Sequence, residues 1–249
     1  IVIYAKFNPT SFADDDWQSI KTNLTADPEY YPVGSEKKVK LDMDNNGEDE
    51  SYTVRLANTS IPNECNNSTM SQTGCGIVIE FVTIPVFHRM NASDTISGGW
   101  KETEMITYLN GEFYNKLPSD LKDVIIPTYP IVSGSYKDST SVDITSEDTN
   151  KNKLYLLSPR EIGADSSGQD TRYNDNRTLD YYIGTSSDLM FDEPKRIKKR
   201  LSGKEEAWWL RTVRKEIWSK FYAVLPNGLV QYNLSSDQSY GVAPAFRIN

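Results

Sequence analysis

The chain has 249 residues, a formal net charge of -8, a pI near 4.8, and 37% hydrophobic against 25% charged residues. That length buries a sizeable core without metal or disulfide support, and the acidity excludes a general nucleic-acid or anionic-membrane binder, which must present a basic face. No apolar run approaches the roughly 20 residues that span a bilayer, so no membrane insertion by this segment is expected.

In chain order, residues 1–13 read as a linker or first strand, and 14–249 as a single domain. No signal-peptide pattern is present, but a chain that opens on Ile1 rather than Met reads as a piece of a longer polypeptide, so that absence excludes nothing. Asp14, Asp15 and Asp16 precede Trp17, Ile20 and Leu24, whose spacing is helical, and acids at a helix start suit its macrodipole. Residues 39–43 and 52–56 alternate apolar and polar side chains around an acidic loop and predict a hairpin. In that hairpin Asp42, Asp44 and Asn46-Gly47 match the first half of an EF-hand calcium loop, with Glu50 at its ninth position. Thr53 takes the twelfth, where a bidentate carboxylate belongs, and hairpin turn geometry explains Asn46-Gly47 equally well. Asp42, Asp44, Asn46 and Glu50 are thus a calcium candidate set, and no other cofactor is expected.

Cys65 and Cys75, the only cysteines, share one polar loop. The sharper reading is a disulfide, which favours an extracellular compartment; the plainer one is two neighbouring free thiols. A metal site there lacks partners, because His88, the only histidine, lies outside the loop. A strand is expected at 77–82, with Ile84 and Val86 beyond it. A second helix follows, with Trp100, Met105, Leu109, Phe113 and Leu117 as its buried stripe and Pro118 as its stop. Ser119-Asp120 then caps a short helix through Val124, and the polar stretch 133–152 is an exposed insertion.

Leu154 to Leu157 predicts a short strand. Ser158-Pro159-Arg160-Glu161 follows as a capping box, limited by Gly163 to about one turn. The basic run 195–200 reads as a solvated loop, with capture of an acidic ligand as the sharper reading. The closing segments 208–210, 221–225, 229–232 and 242–248 are rich in aromatic and β-branched residues and form a β-meander, with Asn227-Gly228 as a type I′ turn. Adjacent on a strand, Trp208 and Trp209 are expected to point one inward and one outward, and Arg211 and Arg247, in or beside these strands, are expected to be structural rather than catalytic.

Five ordered motifs carry a resemblance over roughly Trp17 to the end: Gly98-Gly99-Trp100-Lys101-Glu102 with Tyr108-Leu109-Asn110; Leu117-Pro118-Ser119-Asp120; Leu154-Tyr155-Leu156-Leu157-Ser158 with Glu161; Trp208-Trp209-Leu210-Arg211; and Gly241-Val242-Ala243-Pro244-Ala245-Phe246. They resemble an uncharacterised bacterial domain family of surface-anchored and phage-encoded proteins. This chain departs from that pattern at Ile106, where the family usually has Arg, and at Thr212, where it has Ser. In element order and closing motif the family is similar to the C-type-lectin-like fold of formylglycine-generating enzymes and of variable proteins diversified by retroelements. The resemblance implies an α+β fold, a C-type-lectin-like mixed and antiparallel sheet with two main helices and long irregular loops, whose final hairpins display a ligand-binding surface.

Enzymatic readings find little to stand on. A Ser-His-Asp or Cys-His site needs a histidine base beside a nucleophile motif, and His88 has none. Formylglycine-generating chemistry needs a cysteine pair near the C-terminus, whereas no cysteine follows Cys75. The calcium-binding sugar signatures of C-type lectins are absent. The expectation is a non-enzymatic, extracellular or cell-surface recognition module that binds a surface protein or a glycan through Trp218, Tyr222, Tyr232, Asn233, Gln238 and Tyr240. Aromatics supply contact area at low entropic cost, and amides supply adaptable hydrogen bonds. A structural spacer is the runner-up, and a carboxylate-based glycan hydrolase the third reading.

Overall fold

The computed structural model describes residues 11–67, 70–97, 99–130, 152–164, 177–213 and 220–249. Asp16 caps α1 (Trp17–Ala26), its carboxylate accepting from the Ser19 amide at 2.7 Å, and Trp17, Ile20 and Leu24 form the buried stripe. The predicted hairpin follows as β1 (Glu36–Leu41) and β2 (Glu50–Asn58), antiparallel with Val39 opposite Tyr52. Next come β3 (Val78–Phe81), β4 (Val86–His88) and β5 (Ile125–Ile126), and then the closing strands β6 (Trp208–Val213), β7 (Lys220–Val224), β8 (Val230–Ser235), β9 (Tyr240–Val242) and β10 (Ala245–Ile248).

Among the described residues two five-stranded sheets result, ordered β1-β2-β3-β10-β5 and β4-β9-β6-β7-β8. The fold is mixed α+β and mostly sheet. The closing strands are a meander only over β6, β7 and β8: β9 instead runs parallel to β6, and β10 crosses to the first sheet to pair with β3 and β5. One hydrophobic cluster, from Phe12 to Ile248, joins both sheets and α1. Within it, edge-to-face ring contacts link Trp17 to Phe246 (6.2 Å), Phe246 to Phe81 (6.4 Å) and Phe81 to Phe113 (5.7 Å).

The second helix keeps its stripe but not its regularity. Trp100, Met105, Leu109, Phe113 and Leu117 are all buried. They lie on a 3₁₀ turn, then α2 (Glu104–Tyr108), a π turn over Leu109–Phe113, and α3 (Tyr114–Lys116). Thr103 starts α2 by accepting from the Ile106 amide at 3.2 Å, so the five-residue step from Trp100 to Met105 marks a helix start rather than an interior. A short α4 (Ser119–Lys122) follows.

Four expectations are corrected. Leu154 to Leu157 is fully buried, yet it forms only an isolated bridge, Tyr155 to Ala245, and no strand. The basic run 195–200 is not wholly solvated: Arg196 and Lys198 are buried while Lys195, Lys199 and Arg200 are exposed. Trp208 and Trp209 do not divide between core and solvent; both are buried, because β6 lies between β9 and β7 with both faces covered. The turn at Asn227-Gly228 is not type I′, since Gly228 takes φ +87° but Asn227 has no positive φ. Pro226 fixes a negative φ before them, and the Gly228 amide donates to the Leu225 carbonyl at 2.9 Å, so a type I turn is closed by a left-handed glycine. The 133–151 part of the expected insertion, and residues 1–10, lie outside the described residues.

Candidate recognition site

Of the six side chains expected to meet a ligand, the structure places two on an accessible surface. Gln238 is exposed, at the β8–β9 turn, where its backbone N–H donates to the Ser235 carbonyl at 3.1 Å. Tyr240 is half-buried and meets the Trp209 ring edge-on at 4.9 Å. Tyr222 is corrected to a core residue: it is 3% exposed on β7, between β6 and β8, and as placed has no face to offer. Trp218 lies outside the described residues, as do the side chains of Tyr232 and Asn233 on β8.

Around Tyr240 the fold gathers residues that the sequence reading passed over. Register sets His88 directly opposite Tyr240, so the two side chains share a face of the sheet. The His88 ring stacks on Tyr108 from α2 at 4.2 Å with an interplanar angle of 12°. His88 Nδ1 lies 2.7 Å from the Arg89 carbonyl, which only accepts, so Nδ1 carries the proton and Nε2 faces Glu104 at 3.9 Å. Arg89 clamps Glu104 through three contacts of 3.1 to 3.3 Å. Both ends of that pair remain accessible, at 44% and 36% side-chain exposure. Burial pushes the Tyr108 hydroxyl up to about 12, with Glu112 adding to the shift, so it stays a neutral donor.

The loop 89–95 ties this face to the β8–β9 turn. The amides of Met90 and Asn91 both donate to the Ser236 carbonyl at 2.9 Å, and Asp94 accepts from the Ser236 amide at 3.0 Å and pairs with Lys220 at 3.3 Å. Trp209 donates its indole N–H to the His88 carbonyl at 3.0 Å from beneath. The face is therefore held by backbone as well as side-chain bonds. A lone histidine next to an arginine was the one signal in the sequence that could have pointed to it.

Two buried carboxylates do different work. Glu80 holds Arg55 at 2.6 Å and Lys198 at 2.7 Å and accepts from the Tyr182 hydroxyl at 3.0 Å. Burial opposes its ionisation, but Arg55 and Lys198 override it and pull the carboxyl down to about 2. Burial pushes Lys198 the other way for an amine, down to about 8 against the pull of Glu80. Glu161 forms the predicted capping box, accepting from the Ser158 amide at 2.7 Å while its own amide donates to Ser158 Oγ at 3.3 Å, and it also binds Arg211. Both carboxylates are fully buried and cation-paired, which makes them fold-holding groups, closed to substrate as placed.

Of the calcium candidates, Asp42, Asp44 and Asn46 gather around the loop's own donors, Asp44 accepting from the Asn46 amide at 3.2 Å and from its side-chain amide at 3.1 Å, while Glu50 turns away. Asp42 accepts from the amides of Asn46 and Gly47 at 3.1 and 3.0 Å, and Glu50 accepts from the Tyr52 hydroxyl at 3.3 Å. The Lys116 ammonium sits 2.7 Å from the Asp42 carbonyl and 2.6 Å from Asn45 Oδ1, placing a cation at the loop already. Among the described residues no three or more Asp, Glu, His or Cys side chains converge as a metal site. Cys65 and Cys75 are joined in a disulfide.

Residues 79–249 match the model of a family described as a domain of unknown function, DUF6273, and the chain belongs to that family. The match starts inside β3, so α1, β1 and β2, which the motif resemblance had included, fall outside it. No curated protein and no solved structure matches the chain. No helix among the described residues is long and apolar enough to cross a membrane.

Proposed function

We propose that the chain is a non-enzymatic extracellular recognition module of a bacterial surface or phage protein, folded as a single C-type-lectin-like domain over 14–249, which binds a surface protein or a glycan at the β8–β9 end of its second sheet. One observation carries this reading: half-buried His88, Tyr108 and Tyr240 lie beside the accessible Arg89–Glu104 pair and exposed Gln238, on a backbone-braced face. Ring faces stack on sugar or aromatic side chains, while the guanidinium, carboxylate and amide fix orientation. The disulfide fits an oxidising compartment.

The test is a panel of host-cell glycans and surface proteins, screened with the native chain and with a triple variant, Arg89→Ala, Glu104→Gln and Gln238→Ala. These side chains are accessible, so the variant should melt within a few degrees of the parent. It should bind its ligand at least about tenfold more weakly, a loss of about 1.4 kcal/mol. Undiminished binding by the variant places the site elsewhere. A native chain that binds nothing on the panel favours the spacer reading.

A further inference from the structure

A second accessible feature lies on the other sheet. A cleft of about 520 Å³ opens beside β1, lined by Lys37, Lys38 and Lys40 of that strand and by Lys116 of α3. Trp17 and Pro118 give it apolar wall, and Asp49 and Asp120 stand on its rim. The volume lies within the usual range for small-ligand sites. Because β1 is a sheet edge among the described residues, the plainer role for its lysines is to deter strand addition. That role does not call for Lys116, which arrives from a different element, nor for the way the ammonium groups are held.

Lys37 donates to the carbonyls of Ala13 and Asp15 at 2.9 and 2.7 Å, Lys116 to Asp42 and Asn45 as described, and Lys38 to the Thr53 hydroxyl at 2.7 Å. An ammonium has three N–H donors, so each anchored lysine keeps at least one to spend. Lys40 is exposed and makes no hydrogen bond or ion pair among the described residues. Burial lowers the proton affinity of Lys37 against the opposing pull of Asp120, Asp14, Asp15 and Asp16. The lining itself carries four lysines and two aspartates, with Asp14, Asp15 and Asp16 also acting on Lys37, so the cations unclaimed by a carboxylate are those toward Lys40.

We propose that this cleft binds an anionic saccharide, a sugar unit carrying phosphate or carboxylate. The lysines meet the oxyanion, Asp49 and Asp120 accept from sugar hydroxyls, and Pro118 with the lysine stems packs against the ring. A bare polyanion is disfavoured, because the two rim carboxylates repel it. The site is separate from the β8–β9 face and does not depend on the reading given to that face.

Calorimetric titration of the whole chain at about 50 mM salt, where surface electrostatics are weakly screened, with glucose 6-phosphate, glucuronate and glucose tests the assignment. Saturable binding of a charged sugar, with glucose at least about tenfold weaker, is expected, and the two charged arms tell phosphate from carboxylate. The double variant Lys38→Gln, Lys40→Gln alters exposed side chains only. It should keep its melting temperature and lose about tenfold in affinity, while Gln238→Ala binds as the parent does. Three results overturn the proposal: no saturable binding of either charged sugar, a double variant that binds as tightly as the parent, or an acidic peptide that binds where the charged sugars do not. Self-association of the double variant, with a parent that binds neither sugar, assigns these lysines to edge protection alone.

Discussion

Arg211 and Arg247 both lie in closing strands and were both expected to be structural, yet their surroundings differ. Arg211 is fully buried and forks onto Glu161, also donating to the Leu156 carbonyl at 2.7 Å and the Thr73 hydroxyl at 3.1 Å. Arg247 is half-buried, and burial lowers its proton affinity with no carboxylate paired to it among the described residues. Arg211→Met leaves a buried carboxylate unpaired and should cost about 3 to 5 kcal/mol, or roughly 6 to 20 °C in melting temperature for a chain of this size. Arg247→Met should cost under about 1 kcal/mol. Thermal melts decide, and equal losses would refute the distinction. Glu80 sets a pH limit. Its folded carboxyl titrates at about 2 against an ordinary 4.5, so its contribution to stability is complete above 4.5 and is lost as pH falls from there toward 2. Denaturant melts at pH 6, 4 and 3 should show a steeper acid loss in the parent than in Glu80→Gln, although the variant starts lower. Parallel acid limbs would show that other groups dominate.

At the scale of elements, the disulfide loop belongs to the same network as Arg211. Cys65 and Cys75 are ten residues apart, and between them Thr73 contacts Glu161 and Arg211 while its carbonyl accepts from Tyr155 at 3.2 Å. Chain entropy puts the bond at about 3 kcal/mol. Because the loop also positions Thr73, Cys65→Ser with Cys75→Ser should cost less in an Arg211→Met background than alone, by at least about 0.5 kcal/mol in a double-mutant cycle. Strict additivity would separate the two. Elements whose signals are local were legible: the Asp16 cap with its Trp17, Ile20 and Leu24 stripe, the acidic hairpin, and the Ser158–Glu161 box. Elements decided by distant partners were not. Arg196 and Lys198 look solvated in sequence, but Arg196 is taken up by the carbonyls of Ile162 and Gly163 and Lys198 by Glu80, all remote in the chain. Leu154 to Leu157 has strand composition, yet the first sheet closes through β10 instead. The candidate face was half legible for the same reason. Gln238 and Tyr240 announce themselves at a polar turn between closing strands, while His88, Tyr108 and Glu104 join them only through cross-strand register and the packing of α2.

For the whole molecule, the telling relation is between the family match and the first sheet. The matched segment begins at 79, within β3, while β3 sits between β2 and β10 and the Trp17 ring of α1 packs on Phe246. A fragment of residues 79–249 would leave one backbone edge of β3 unpaired and uncover Phe246 and its neighbours, a form prone to aggregation. That fragment should be insoluble or bind a dye for exposed apolar surface, whereas residues 11–249 should melt cooperatively; a cooperative melt of the short fragment would show that the match alone folds. What is inherited as a family and what folds as a body thus have different left-hand borders. In this chain the family segment therefore leans on a helix and a hairpin that lie outside it, and the seam between them runs along the β2–β3 pairing and the contact of Trp17 with Phe246.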